Sequence, residues 1–175
     1  KFFTQTNKFS VTDVLNYIFL EQIEKGAETT RQNTEPILSA LKGKNNITSS
    51  DLESNDIFYL CYQYYFEKMS KQNSTIEFKN LYNLFSDEEK KVWPIPLLGL
   101  YGGELTVEKM ESLIQNTDKY KMRMDKCEAY FYLGLLRVCE NKNQEAKKYF
   151  QLSKDQQVYD YIETTGDSYF LQKIK

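Results

Sequence analysis

Two helical stretches joined by a polar turn, Cys127 to Asp160 (CEAYFYLGLLRVCENKNQEAKKYFQLSKDQQVYD), constrain the fold more than any other part of the chain. Small and large side chains occupy fixed places there. Tyr130, Leu133 and Gly134 fall on the first stretch, and Ala146, Phe150 and Ser153 on the second. Gly134 and Ala146 are small enough for two antiparallel helices to cross closely. Tyr130, Leu133 and Phe150 have the bulk to fill the space beside that crossing.

With Cys127 as position one, this order resembles a tetratricopeptide (TPR) unit, a helix pair of about 34 residues. Tyr130 takes the aromatic slot, Leu133-Gly134 the Leu-Gly pair, and Ala146 and Phe150 the slots of the second helix. Arg137 stands where an aromatic or aliphatic residue is usual, and Val158 replaces the closing proline. One such unit cannot bury its own apolar face and needs stacked neighbours. Upstream, Asp56 to Cys61 resembles Glu128 to Gly134 when Leu60-Cys61 is laid on Leu133-Gly134. After a longer connection, Phe78 to Tyr82 resembles Ala146 to Phe150. The expectation is an all-α chain: an α-α superhelix of TPR-like helical hairpins, with about eight or nine short helices. Residues 1–50 read as an amino-terminal helical segment packed on or preceding the repeats, and residues 51–175 as the TPR-like repeat domain.

Composition narrows the function classes. Aromatic residues make up 15 % of the 175, a content that goes with a packed core and not with disorder. A net charge of -2 leaves no basic footprint for nucleic acid and no polybasic patch for a membrane surface. No apolar run approaches the ~18 residues of a membrane span. The chain starts at Lys1, without Met or a signal peptide, which fits a trimmed chain and says little about location. Of the three cysteines, Cys127 and Cys139 lie on one predicted helix, roughly 18 Å apart along its axis, and cannot bridge each other. Cys61 sits in an aromatic run and reads as a buried thiol.

In chain order, Ser10 and Asp13 form a capping box before Val11, Val14, Leu15, Ile18, Phe19 and Ile23, and Gly26 is expected to end that helix. Thr34-Glu35-Pro36 opens a short second helix closed by Gly43. Thr48 and Asp51 start a long helix to about Ser70, and Ser74 and Ser86 cap two further helices. Trp93-Pro94-Ile95-Pro96 breaks the pattern before a short apolar helix stopped by Gly102-Gly103. Thr106 caps the next helix, and Asp167 is expected to cap the last one.

Trp93-Pro94-x-Pro96, Leu100-Tyr101-x-Gly103, Cys127 to Gly134, Ala146 to Phe150 and Val158 to Glu163 occur in that order. From about Asp51 to Lys175 this resembles the carboxy-terminal half of bacterial TPR proteins of the NlpI-like envelope lipoprotein type. The resemblance implies an adaptor that dimerises, docks partner proteins and has no chemistry of its own. It implies a place in the cell envelope or periplasm.

The residues themselves offer little chemistry. With no histidine, neither a Ser-His-Asp triad nor a Cys–His nucleophile can be assembled, and a zinc finger is disfavoured. Gly99 to Gly103 lacks the Lys-Ser/Thr of a phosphate loop, and Asp87-Glu88-Glu89 reads as first-turn charge favouring a helix dipole. No catalytic, metal or cofactor-binding residues are therefore expected. What remains is a surface. In TPR units the first helix of each pair lines the concave face. Here that stripe is Glu128, Phe131, Leu135 and Val138, continued upstream by Phe58, Tyr62 and Tyr65. Either it binds a protein partner, or another helix of the chain, around residues 11–25, already fills it. The expected function is a protein-protein interaction scaffold or adaptor of the bacterial envelope, with a homodimer as one form of partnership. The alternatives are a cytoplasmic immunity or effector-type interaction protein, and a small-ligand binder or enzyme using the aromatic groove.

Overall fold

A computed structural model describes residues 10–159 and 161–174. They form nine α-helices: α1 Val11–Phe19, α2 Ile23–Leu41, α3 Ser54–Met69, α4 Phe78–Asn83, α5 Pro96–Tyr101, α6 Val107–Leu113, α7 Lys119–Cys139, α8 Asn143–Lys154 and α9 Ile162–Lys173. A 3-10 turn, Glu89–Lys91, precedes α5. Among the described residues the only β pairing is an isolated bridge between Ile47 and Phe85. The all-α expectation therefore holds.

Local sequence explains most helix starts. Ser10 and Asp13 close a reciprocal box at α1, with Asp13 N donating to Ser10 Oγ at 3.1 Å and Ser10 N to Asp13 Oδ2 at 2.9 Å. Thr106 caps α6 by accepting from Lys109 N at 3.2 Å. Asp118 caps α7 by accepting from the backbone of Tyr120 and Lys121. Pro96 is the first residue of α5, and Gly103 beyond its end has φ 73°. Trp93-Pro94 is a cis peptide.

One turn recurs at three helix ends. Glu21, Lys71 and Asn141 all take positive φ, at 56°, 60° and 60°. In each case the next backbone N–H reaches back five residues: Gln22 to Tyr17, Gln72 to Glu67 and Lys142 to Arg137. This is a Schellman closure. After Glu21 and after Asn141 a new helix starts at once, so α1–α2 and α7–α8 are hairpins with the same tight connection. After Lys71 an extended run, residues 72–77, intervenes before α4.

Helix pairing follows from where side chains are missing. A Cβ on Gly134 of α7 would lie 2.5 Å from the Phe150 ring of α8. A Cβ on Gly26 of α2 would lie 2.3 Å from the Phe66 ring of α3, and one on Gly166 of α9 would lie 2.5 Å from the Phe131 ring of α7. Three crossings thus seat a phenyl ring directly on a glycine backbone. Helix α7 packs along α8, α2 along α3, α8 along α9 and α4 along α5, while α1 reaches α2, α3 and α9. Residues from α1, α2, α3, α7, α8 and α9 share one core.

Five local expectations are corrected. Gly26 does not end the first helix; that helix stops at Phe19, and Gly26 lies inside α2, where it admits Phe66. Pro36 does not open a helix but sits within α2. Pro36 is exposed, as is Gln32 one turn earlier, whose carbonyl it leaves without its helical donor. The Thr48–Asp51 box forms, with Thr48 N donating to Asp51 Oδ2 at 2.9 Å, but it closes a turn and α3 begins only at Ser54. Asp167 is not a cap, because α9 starts five residues earlier and buries it. Last, α3 does not form a close hairpin with α4. The 72–77 insertion carries α4 onto α5, and α3 meets it only at its edge, through contacts such as Tyr64 to Phe78.

Candidate functional site

The expected binding stripe is assembled but not open. Phe58 stacks on Tyr132 with centroids 4.8 Å apart, and Tyr62 sets its edge on Phe131 and Tyr132. Tyr65 meets Phe170 of α9, and Phe131 is wedged against Phe150, Phe170 and Gly166. Phe58, Tyr62, Tyr65, Phe131 and Leu135 are consequently buried, and Val138 and Glu128 are half-buried. The physical reason is that α9, with Leu15 of α1 beside it, occupies the face where a partner would lie. The aromatic stripe is core, so the expectation that it is an accessible concave surface is corrected.

Glu128 is the exception with chemical content. The indole N–H of Trp93 donates to Glu128 Oε2 at 2.6 Å. Burial pushes the Glu128 carboxyl up to about 8, against the opposing pull of the Trp93 hydrogen bond, with Glu163 and Asp125 adding repulsion. Tyr161 stands beside the same carboxyl and is raised by burial first and by Glu128 second.

Four large hydrophobic residues are strongly exposed among the described ones: Tyr159 at 77 %, Leu20 at 64 %, Tyr120 at 52 % and Val92 at 45 %. Leu20 lies apart, in the α1–α2 turn. The other three lie on segments tied to α7, the helix that carries Glu128. Val92 adjoins Trp93 in sequence. Tyr120 is one turn before Arg123, whose guanidinium donates to the carbonyls of Gln156 and Gln157, and Tyr159 follows two residues later. The loop before α5 and the α8–α9 loop are thus both fastened to the first half of α7, and these three segments carry Val92, Trp93, Tyr120, Tyr159 and Tyr161. The helical spacing used on the sequence could not find this set, because Tyr159 and Val92 lie outside the helices.

Deeper in, a second set of acids lies under α9. Asp167 is fully buried and neither carboxyl oxygen has a hydrogen-bond partner. Ser153 Oγ, a hydroxyl close enough to favour the Asp167 carboxylate, donates to the Cys127 carbonyl at 2.8 Å. Burial raises Asp167 to about 8, with Ser153 pulling the other way and Glu163 adding repulsion. Glu163 is raised as well, chiefly by burial, and accepts from Tyr132 Oη at 3.5 Å. By contrast, the polar seam between α2 and α3 is satisfied. Thr34 Oγ1 donates to Gln63, Gln63 Nε2 donates to Glu67 Oε1 at 2.7 Å, and Glu67 Oε2 accepts from Thr75 N at 3.3 Å. That seam ties the 72–77 insertion down.

A shallow groove of about 340 Å³ is lined by Tyr64, Phe78 and Tyr101 together with Glu77, Lys79 and Asn80. Among the described residues no group of His, Cys, Asp and Glu is arranged to hold a metal ion, and no helix is long and apolar enough to cross a membrane. Comparison with family models, curated protein sequences and solved structures found no match to this chain.

Proposed function

We propose that this protein is a non-catalytic interaction scaffold of TPR type, acting in the bacterial cell envelope, and that it docks a protein partner through the aromatic surface around Trp93. The observation that carries the docking surface is where the exposed apolar side chains fall. Val92 adjoins Trp93, which donates to Glu128 of α7; Tyr120 opens the same helix, and Tyr159 follows the Gln156 and Gln157 carbonyls that Arg123 of α7 binds, so three of the four strongly exposed large hydrophobics lie on segments joined through α7. Tyr and Trp are enriched at interface centres, where one end of the ring is buried and the polar end finds a partner. The TPR reading draws support from the repeated Schellman turn and from the Gly134–Phe150 crossing. The envelope reading rests on the resemblance of residues 51–175 to NlpI-like lipoproteins; a cytoplasmic interaction protein is its alternative.

The test is affinity capture from cells of the source organism with three baits: the parent, Tyr120→Ser/Tyr159→Ser, and Leu20→Ser. A specific protein retained by the parent and by Leu20→Ser, and lost with the double variant, supports the surface. Identical retention by all three baits contradicts it.

A further inference from the structure

Helix α9 covers the aromatic face of α3 and α7 with an underside that carries two buried acids, Asp167 without a hydrogen-bond partner and Glu163 held by Tyr132 Oη at 3.5 Å. Glu163 and Asp167 are one turn apart and both point inward, and Gly166 between them seats on Phe131. We propose that α9 is a proton-controlled latch: ionisation of Asp167 and Glu163 releases it from α7 and α8 and uncovers the aromatic face around Phe131.

The surroundings give a charged α9 little to hold it. From α7 come Glu128, itself raised by burial and by the Glu163 charge, and Cys127 and Tyr132, which are neutral. Lys121, the cation on that side, is already engaged by Asp125 at 3.4 Å. From α8 come Ser153, committed to the Cys127 carbonyl, and Lys154, an exposed residue at the end of its helix. From α3 comes Tyr62, whose Oη is buried without a partner. The turn after α1 contributes Glu21, which pairs with Lys173 at the far end of α9, away from Asp167. A carboxylate formed at Asp167 would therefore be buried, unpaired and beside other acids, a state proteins avoid by protonating the group or moving it to water.

The direction follows from burial. An undocked α9 has ordinary carboxylates, whereas docking raises Asp167 to about 8 and raises Glu163 as well. The docked state thus holds protons that the undocked state has lost. Docking is strongest below the ordinary carboxylate range and weakens as pH rises toward about 8, by up to about tenfold per pH unit for each group. The latch is independent of the docking surface proposed above, because its state can be read without a partner.

The experiment is hydrogen exchange on the full chain at pH 6 and pH 9, with rates normalised to the intrinsic rate at each pH. The α9 amides are expected to lose at least tenfold protection at pH 9, while the α3 amides change less than twofold. Asp167→Asn and Glu163→Gln each remove one of the two ionising groups and should each diminish the loss of α9 protection at pH 9; two variants guard against one failing to fold. Equal α9 protection at both pH values would overturn the proposal. So would parallel loss in α3 and α9, or an undiminished loss in the variants.

Discussion

Gly134 and Phe150 fit each other so closely that a single added carbon separates them: a Cβ at position 134 would stand 2.5 Å from Phe150 Cε1. Phe150 is itself fully buried and stacks on Phe170 of α9 at 4.6 Å, so its ring cannot move aside without disturbing a second helix. Gly134→Leu should cost about 3 kcal/mol or more, at or above the upper end of ordinary overpacking, because the neighbour is trapped. Gly103→Ala, with no atom within 4 Å of the added carbon, brings only the strain of its positive φ and should cost about 1 kcal/mol. Urea denaturation of the two variants measures the difference.

Phe131 and Phe150 make the next comparison. The sequence places Phe131 on an outward stripe and Phe150 in a helix-pair contact, so truncating Phe131 should be the milder change. Both are fully buried, and both touch Phe170. Phe131→Ala and Phe150→Ala should therefore each cost about 3–5 kcal/mol. Thermal unfolding followed by circular dichroism checks it, and a Phe131→Ala variant melting like the parent would place that ring at the surface.

The cysteines should behave as three separate thiols. Cys61 and Cys127 are buried and Cys139 is half-buried, all unpaired. Burial raises Cys127 to about 11 and Cys139 to about 12, so little thiolate exists at neutral pH. Alkylation without reductant should be slow in the native protein and should add three labels once it is unfolded. A mass showing one label indicates a disulfide.

Glu128 should titrate near pH 8 and report through Trp93, the chain's single tryptophan. Its folded pKa lies above the ordinary glutamate value, so the folded state holds a proton that the unfolded chain releases. The associated stability is full below pH 4.5 and is lost as pH rises toward 8, by roughly 1.4 kcal/mol per pH unit at most. Trp93 emission should change with a midpoint near 8, and Glu128→Gln should abolish that change and gain stability relative to the parent at pH 9. An emission flat from pH 6 to 9 in the parent would contradict the assignment.

Glu67 anchors the 72–77 insertion, so its loss should free that segment. Glu67→Ala strips an acceptor from Gln63 Nε2 and from Thr75 N. A cost of about 1–3 kcal/mol is expected, the range for leaving buried neutral donors without an acceptor. Proteolysis between α3 and α4 should accelerate in step.

What the sequence made legible was local. The capping box at Ser10, the Thr106 cap and the Gly134–Ala146–Phe150 crossing each involve residues close in the chain or joined by one tight turn. What it hid was the long-range arrangement. The pairing of α2 with α3 depends on Gly26 meeting Phe66, residues with no periodic relation. The stripe of Phe58, Tyr62, Tyr65, Phe131 and Leu135 had the correct helical spacing, yet α3 and the second half of α7 bury residues on most of their faces, and spacing cannot say which face remains open once α9 returns to cover it. Asp167 looked like a cap because acids inside helices are uncommon in a core, and its burial follows only from where α9 docks. The proposed docking surface drew two of its members, Val92 and Tyr159, from segments that carry no periodicity at all.

A photo-crosslinking residue placed at Tyr159 and, separately, at Leu20, in the full chain within cells of its source, reads the docking surface itself. Both positions are exposed, at 77 % and 64 %, so both crosslinkers face the same crowded surroundings. If the surface around Trp93 is where the partner sits, position 159 should yield a discrete protein adduct that position 20 does not, and Tyr120→Ser should diminish it. No adduct from position 159, or the same adducts from both positions, would contradict docking there.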